Sequence, residues 1–199
     1  MRILKVLGLA AIAATALMAV GVAGATATEF YSGTTTLGAG TEIKASLEGS
    51  TSVSDTSANP IDTCLSSELK STLTSAGSST TTVSSTVSKS TVSFSSCSSA
   101  RTVIEGGELE PHHIGGTKNA TMTAKGFDWV IHVFGVECGY TMGSQTDLGT
   151  LTGSTTGNAT LDINAIISKK TGGFLCPSTT RLIANYTITS PTPLHVTAS

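Results

Sequence analysis

The stretch "ATLDINAII", residues 159–167, alternates apolar and polar side chains with a period of two residues. Its apolar positions are Leu161, Ile163, Ala165 and Ile167, and its polar positions are Thr160, Asp162 and Asn164. Because successive side chains of a β-strand point to opposite faces, this pattern indicates a strand with one buried face. Half-buried strands of this kind are typical of antiparallel sheets. The stretch therefore predicts an antiparallel β-strand.

The same period recurs in "TEIKASLEG" (41–49) and in "RLIANYTI" (181–188). No window of helical length shows a convincing apolar period of 3.6 residues. Glycine-rich breaks fall between the alternating segments, where turns are expected. About ten short strands at regular spacing predict an all-β fold. We expect an antiparallel β-sandwich of jelly-roll type, with a closed β-barrel as the second choice.

The segment 71–99 is so rich in serine and threonine that it could be a low-complexity linker. Its apolar side chains nevertheless alternate on both sides of Ser88-Lys89-Ser90, which is a suitable turn. We therefore predict a hairpin or two strands here. Cys97 directly after the second strand would tie the segment to the rest of the protein. A single domain over residues 28–199 follows from this interpretation.

The first residues have the order of a secretory signal peptide. Arg2 and Lys5 form a short positive region, residues 6–22 are almost wholly apolar, and Ala25-Thr26-Ala27 offers a cleavage site. A membrane anchor is the alternative, but the apolar stretch is alanine-rich and runs directly into the cleavage site. We predict that residues 1–27 are removed and that no transmembrane segment remains. The expected location is secreted or at the surface of a bacterial cell.

Charge and composition exclude some functions. Only 12% of residues are charged, and the net charge of −2 becomes −4 once Arg2 and Lys5 are removed with the signal peptide. No cluster of basic residues could follow a phosphate backbone, so nucleic-acid binding is not expected. Disordered chains combine low hydrophobicity with high net charge, whereas this chain is 39% hydrophobic. A folded domain is expected.

All four cysteines lie in the predicted mature part: Cys64, Cys97, Cys138 and Cys176. An even number in an exported chain predicts two disulfide bonds. Three connectivities are open, and the sequence alone does not choose among them. We favour Cys64–Cys97 and Cys138–Cys176, because nearest neighbours close the shortest loops.

The segment "DWVIHVFGV", residues 128–136, carries the strongest candidates for a pocket. One face consists of Trp129, Ile131 and Val133, which we expect in the core. The other face includes the candidate pocket residues Asp128, His132 and Phe134. Because both faces are largely apolar, we expect a central strand that is covered on both sides or lines a cleft. Asp128 and His132 would be about 13 Å apart along the strand, which is too far for a direct acid–base pair. A partly buried histidine is therefore favoured over a catalytic one.

A metal site is not predicted. Glu108, Glu110 and His112 have the parity to share a strand face, but Pro111 interrupts the pattern and no motif supplies a fourth ligand. The G-x-S-x-G elbow, the P-loop, the dinucleotide fingerprint, H-E-x-x-H and C-x-x-C are all missing from the sequence. We therefore predict neither catalytic residues nor a cofactor.

Several short segments together resemble a group of exported actinobacterial proteins that are rich in serine and threonine. These segments are "GTEIKASLEGS", "IDTC", "FSSCSS", "FGVECGYTMGS", "LGTLTG", "GNATLDINAII", "LCP" and "IANYTITSPTPLHV". The group has four cysteines and no assigned function. The resemblance spans most of the predicted mature chain, but its motifs are strands, turns and cysteines. It implies no activity and no catalytic residue.

The leading hypothesis from the sequence is a non-enzymatic structural or interaction module of the cell envelope or the extracellular space. Its partner would be an envelope component or an extracellular ligand. A second hypothesis is an extracellular hydrolase of carbohydrate or ester substrates, and a cleft that joins Asp128 or His132 to another carboxylate would favour it. The third is a carrier of a small apolar ligand, with Trp129 and Phe134 in a pocket between sheets.

Overall fold

The computed structural model describes residues 27–133 and 135–198. The predicted signal peptide, apart from Ala27, and the candidate pocket residue Phe134 lie outside the described residues. Within these ranges the regular structure consists of β-strands and a single-turn 3₁₀ helix at Lys89–Thr91. No helix in the described part of the chain is long and apolar enough to cross a membrane.

The all-β prediction is confirmed, and the described residues form fifteen strands. In chain order they are β1 (Thr28–Ser32), β2 (Thr35–Thr36), β3 (Glu42–Asp55), β4 (Pro60–Leu73), β5 (Ser85–Val87), β6 (Val92–Cys97), β7 (Arg101–Glu105), β8 (Gly107–His113), β9 (Ala120–Lys125), β10 (Phe127–Val133), β11 (Val136–Met142), β12 (Thr146–Thr152), β13 (Thr160–Thr171), β14 (Thr179–Ser190) and β15 (His195–Ala198).

Eight strands close into an antiparallel β-barrel in the order β3-β4-β5-β8-β9-β12-β13-β14, with β14 pairing back to β3. Each strand of this ring bonds to a neighbour on both sides, so the ring has no free edge. The closed barrel was the second choice from the sequence, and the jelly-roll sandwich was wrong. Sequence periodicity shows which side chains face inward, but a sandwich and a barrel share that alternation.

The barrel wall is longer than the ring of eight strands. Four segments of the chain contain two successive strands, of which one belongs to the ring and the other extends the wall. These segments are β5 with β6, β7 with β8, β9 with β10, and β11 with β12. In the continuation β6 pairs with β4, whereas β7, β10, β11 and β13 form successive ladders. Segments that follow each other in the chain are therefore adjacent in the wall, which is an up-and-down arrangement.

The segment 71–99 contains the two strands β5 and β6. The prediction was a hairpin or two strands, and the second alternative is confirmed. The turn lies where it was expected, because the 3₁₀ helix Lys89–Thr91 separates β5 from β6. These two strands do not form a hairpin with each other. Both strands pair with β4 instead. The β5 strand pairs at Thr72 and Leu73, and the β6 strand pairs between Cys64 and Leu69.

Alternate residues of each long strand form the core. In β13 the inward positions Leu161, Ile163, Ala165 and Ile167 are all buried, as predicted. The same holds for the predicted inward face of β10, which consists of Trp129, Ile131 and Val133. The opposite face of β10 was predicted to be covered or to line a cleft, but His132 on that face is exposed. This prediction was wrong because a barrel has one interior, and the outer face of its wall meets solvent.

The two predicted disulfide bonds are present, with the nearest-neighbour connectivity. Cys64 lies directly opposite Cys97 in the β4–β6 ladder, with 3.9 Å between their Cα atoms. Cys138 of β11 is bonded to Cys176 in the loop between β13 and β14. Each bond closes a loop of more than 30 residues, and a loop of that size contributes about 3–4 kcal/mol in the chain-entropy model. Both bonds lie in the half of the barrel that contains the β3–β4 and β13–β14 connections, and we call this end of the barrel the disulfide end.

The opposite end, which we call the cap end, is covered by a small sheet of β15, β1 and β2. Its inward side chains are buried in the barrel core: Phe30, Leu37, Leu194 and Val196. Backbone hydrogen bonds attach the sheet to the barrel loops, including Val83 N–H to Thr28 O and Val196 N–H to Lys118 O. The cap sheet therefore closes this end of the core.

His195 in β15 should make the cap sensitive to pH. Its ring is buried and stacks on Tyr31 with 5.7 Å between ring centroids. Burial lowers the pKa of His195 below the ordinary value of 6.5, and the nearby Lys118 acts in the same direction. A lowered pKa means that the folded state binds fewer protons than the unfolded state just below pH 6.5, so protonation favours unfolding.

We expect the free energy of unfolding to fall as the pH drops from about 6.5 through the lowered pKa of His195. Urea titrations between pH 5 and 7.5 measure this slope. The variant His195→Phe keeps an aromatic ring beside Tyr31 and should flatten the slope. An unchanged slope in that variant would show that another group is responsible.

Candidate functional site

In the part of the chain that the structure describes, the barrel wall has one opening, which lies between β6 and β7. These strands follow each other in the chain, but β6 bonds to β4 and β7 bonds to β10, and no ladder joins them. The ladder between β5 and β8 bounds the opening on one side, and the loop 98–100 bounds it on the other. We call this opening the β6–β7 slit.

Gly106 and Gly107, at the beginning of β8, allow the backbones to pack closely at one end of the slit. A Cβ atom at Gly106 would clash with the carbonyl oxygen of Val87, and one at Gly107 would clash with that of Lys125. Only glycine permits these close backbone approaches. On the other side of the slit the 3₁₀ turn moves the chain away from β8, and the Cys64–Cys97 bond holds β6 against β4.

A cavity of about 70 Å³ lies behind the slit. Half-buried Val92, Phe94 and Val103 come from the two strands that border the slit. Deeper lining residues are apolar apart from the Tyr186 hydroxyl and the Trp129 indole N–H. They are Leu69, Leu109, Phe127, Trp129, Met142, Leu148, Ile163, Leu182 and Tyr186. A second cavity of about 30 Å³ lies toward the cap sheet and shares Leu69 and Leu109 with the first.

The size of the cavity limits what it can hold. A cavity needs about 10–15 Å³ to admit one water molecule, so 70 Å³ admits about five groups of that size. Sites for drug-sized ligands measure about 300–1,000 Å³. The cavity therefore suits the apolar end of a molecule or a very small ligand, with the slit as its entrance.

Among the lining residues, Tyr186 carries the only hydroxyl group. Its oxygen lies 2.7 Å from Oγ of Ser67, and both side chains are buried. Burial raises the pKa of Tyr186 above its ordinary value, although the hydrogen bond with Ser67 and the charge of Arg101 oppose the shift. The phenol therefore stays protonated at neutral pH.

A buried ion pair closes the slit toward the disulfide end. Nε and Nη2 of Arg101 both lie 2.7 Å from Oδ2 of Asp62, and the side chains are 2% and 0% exposed. Nη1 of Arg101 donates to Thr51, while Oδ1 of Asp62 accepts from Ser98 and Ser99. Burial lowers the pKa of Arg101, and the Asp62 carboxylate opposes that shift.

The ion pair also holds residues at the border of the slit in position. The guanidinium group of Arg101 lies over the ring of Phe94, 4.7 Å from its centroid. Arg101 begins β7 and Asp62 belongs to β4, so the pair joins two strands that share no ladder. Removal of either partner would leave the other as an unpaired buried charge, which is far more costly than a buried pair.

One group of residues in the described part has donor atoms close enough for a metal ion. The ligand atoms of Asp62, Cys64 and Cys97 lie within 4.8 Å of one another. Both sulfur atoms are in a disulfide bond, and the carboxylate is held by Arg101. This group therefore has no thiolate to offer a metal.

Two of the three predicted pocket residues, Asp128 and His132, lie on the outer face of the wall. The carboxylate of Asp128 pairs with Lys170. Burial opposes ionisation of Asp128, but hydrogen bonds from Lys170 and Thr141 outweigh it and lower the pKa. His132 lies opposite Glu137 in the β10–β11 ladder and is exposed. Trp129, on the other face of β10, lines the cavity instead.

The predicted shared face of Glu108, Glu110 and His112 exists on the outside of β8, but Pro111 does not interrupt the strand. Glu108 pairs with Lys125 at 2.7 Å, and Nε2 of His112 lies 3.2 Å from the Thr123 hydroxyl. These contacts form an ordinary polar strand surface.

Four residues at the slit and the cavity were not predicted as site residues from the sequence: Asp62, Ser67, Arg101 and Tyr186. Two signals pointed to the ion pair. Arg101 is a single charge after a long uncharged serine-rich stretch, and Asp62 has the same parity as Cys64 and so faces the interior. Nothing marked Ser67, because one serine among many carries no distinct pattern.

Removing one partner of the ion pair should destabilise the protein strongly. We expect Asp62→Ala to lower the free energy of unfolding by about 3–5 kcal/mol, because the Arg101 charge stays buried without its partner. The double variant Asp62→Leu/Arg101→Met should regain most of the loss. Urea denaturation measures both.

The matched control is Glu42→Ala, which breaks the half-exposed pair of Glu42 and Lys44. Exposed pairs contribute little, so this variant should unfold close to the wild-type midpoint. Equal losses in Asp62→Ala and Glu42→Ala would contradict the role given to the buried pair.

No protein-family model, no curated protein and no solved structure matches this chain. The resemblance to exported actinobacterial four-cysteine proteins therefore stays a prediction. The geometry of the slit and the cavity is the basis for a functional proposal.

Proposed function

We propose that this protein is an exported, non-enzymatic binding module whose barrel takes a small apolar ligand, or the apolar end of a larger one, through the β6–β7 slit. One observation carries the proposal: an apolar cavity lies directly behind the one opening found in the described wall. This combines the interaction module and the ligand carrier that the sequence suggested. The hydrolase hypothesis gains no support, because Asp128 and His132 lie on the outer face of the wall.

The mouth of the cavity supports binding of an apolar group. Val92, Phe94 and Val103 are half-buried, so part of their apolar surface still meets water. A ligand that covers this surface gains about 25 cal/mol for each Å² of apolar area removed from water. Because the surrounding strands are fixed by the disulfide bond and the ion pair, little order has to be gained on binding.

The affinity for a very small ligand has an upper limit. The best small ligands gain about 1.5 kcal/mol for each non-hydrogen atom, so five such atoms give a dissociation constant on the order of micromolar at best. We expect weaker, millimolar binding for a plain hydrocarbon. A natural ligand would gain further affinity from the part that remains in the slit.

Export is supported by the two disulfide bonds, which persist in oxidising compartments, and by the predicted signal peptide. We expect protein recovered from the culture medium or the cell surface to begin near Thr28 and to have no free thiol. Mass spectrometry with a thiol-alkylating reagent tests both points. Intact residues 1–27 or alkylated cysteines in the recovered protein would contradict export.

Trp129 provides a direct test of binding, because it is the only tryptophan of the chain and lines the cavity. Cyclopentane added to the protein should change the emission of Trp129 and raise the melting temperature in a saturable manner. The variant Val103→Phe fills the mouth from β7 and should weaken binding at least tenfold.

The matched control is Thr102→Phe, which adds the same ring to the exposed face of β7. This variant should bind cyclopentane as the wild type does. The proposal fails if the wild-type emission does not change, or if both variants bind equally.

A further inference from the structure

Tyr186 lines the cavity, and its hydroxyl forms a pair with Ser67 behind it that has an unused hydrogen-bonding capacity. The two oxygens make one hydrogen bond with each other, and either group can be the donor. Each hydroxyl has one proton to donate. Among the residues that the structure describes, one O–H group of the pair therefore has no acceptor, although Tyr186 and Ser67 are only 4% and 3% exposed.

A buried donor without an acceptor is costly, typically by an amount similar to a lost hydrogen bond. The nearest charged groups do not supply an acceptor. The carboxylate of Asp62 is already bonded to Arg101, Ser98 and Ser99. The remaining lining of the cavity consists of hydrocarbon and aromatic side chains and the sulfur of Met142, which is at most a weak acceptor.

We propose that the ligand of this cavity carries one neutral oxygen acceptor next to its apolar part, and that the Tyr186 hydroxyl donates to that oxygen while Ser67 donates to Tyr186. This inference rests on the proposed function, because it concerns the ligand of the same cavity. The chemical class is an ether, ketone, ester or alcohol of small size.

The electrostatic surroundings select a neutral oxygen over a charged one. The positive charge of Arg101 is balanced by Asp62 inside the barrel, so no net positive charge remains for an anionic head group. Placing an unpaired carboxylate beside an apolar lining would be strongly unfavourable. A neutral acceptor gains the hydrogen bond without that cost.

Two probes of the same size and shape separate the oxygen from the hydrocarbon. Tetrahydrofuran is a five-membered ring with one ether oxygen, and cyclopentane is the same ring with a CH₂ group in its place. Trp129 emission gives a dissociation constant for each probe. Three proteins are compared: the wild type, the double variant Tyr186→Phe/Ser67→Ala, and the control Tyr31→Phe/Ser93→Ala.

The double variant removes the whole hydroxyl pair, and replacing both partners of a buried hydrogen bond by apolar groups is often nearly neutral for folding. The control removes the same two hydroxyl groups from residues that do not line either cavity. We expect the double variant to bind tetrahydrofuran about threefold to tenfold more weakly than the wild type. Cyclopentane binding should be unchanged or slightly tighter, and the control should bind both probes as the wild type does.

The outcomes distinguish this inference from the proposed function. If cyclopentane binds to all three proteins and tetrahydrofuran shows no selective loss in the double variant, the oxygen acceptor is wrong and the apolar binding site stands. If neither probe changes the emission of the wild type, the cavity is not a binding site and both proposals fail.

Discussion

The ladder between β14 and β3 creates the interior on which the rest of the structure depends. Most other ladders of the wall join segments that follow each other in the chain, so they need only short connections. The β14–β3 ladder joins the last long strand to the first, from Thr180 opposite Asp55 to Ser190 opposite Lys44. Contacts between such distant residues form at a high entropy cost and slow folding. Until this ladder forms, the inward faces of the eight strands remain one side of an open sheet.

Closure of the ring accounts for which parts of the fold could be predicted from the sequence. The alternation in β13 and β14 showed correctly that Leu161 and Ala184 face the core, because parity is a local property. The partner of each strand is not local. A sandwich and a barrel use the same alternation, so the choice between them depended on a pairing that no sequence motif marks. The same limit led to the wrong expectation that the outer face of β10 would be covered.

The candidate site was harder to predict than the fold, because it results from a missing ladder. Val92 and Val103 have the alternation of ordinary strand residues, and nothing in their spacing shows that β6 and β7 fail to pair. The separation depends on tertiary contacts: the disulfide bond draws β6 to β4, and Asp62 holds the beginning of β7. Trp129 was correctly assigned to the interior, but its role in lining a cavity required the barrel to be known.

The uneven placement of the disulfide bonds makes the two ends of the barrel chemically different. At the disulfide end, covalent bonds restrain β4, β6, β11 and the loop before β14. At the cap end, the sheet of β15, β1 and β2 is attached by hydrogen bonds and by the burial of Phe30 and Leu194. Local opening free energies in a protein follow such differences. The cap sheet can separate from the barrel without the breaking of a covalent bond, so we expect amide protons of the cap sheet to exchange with solvent sooner than those between the two disulfide bonds.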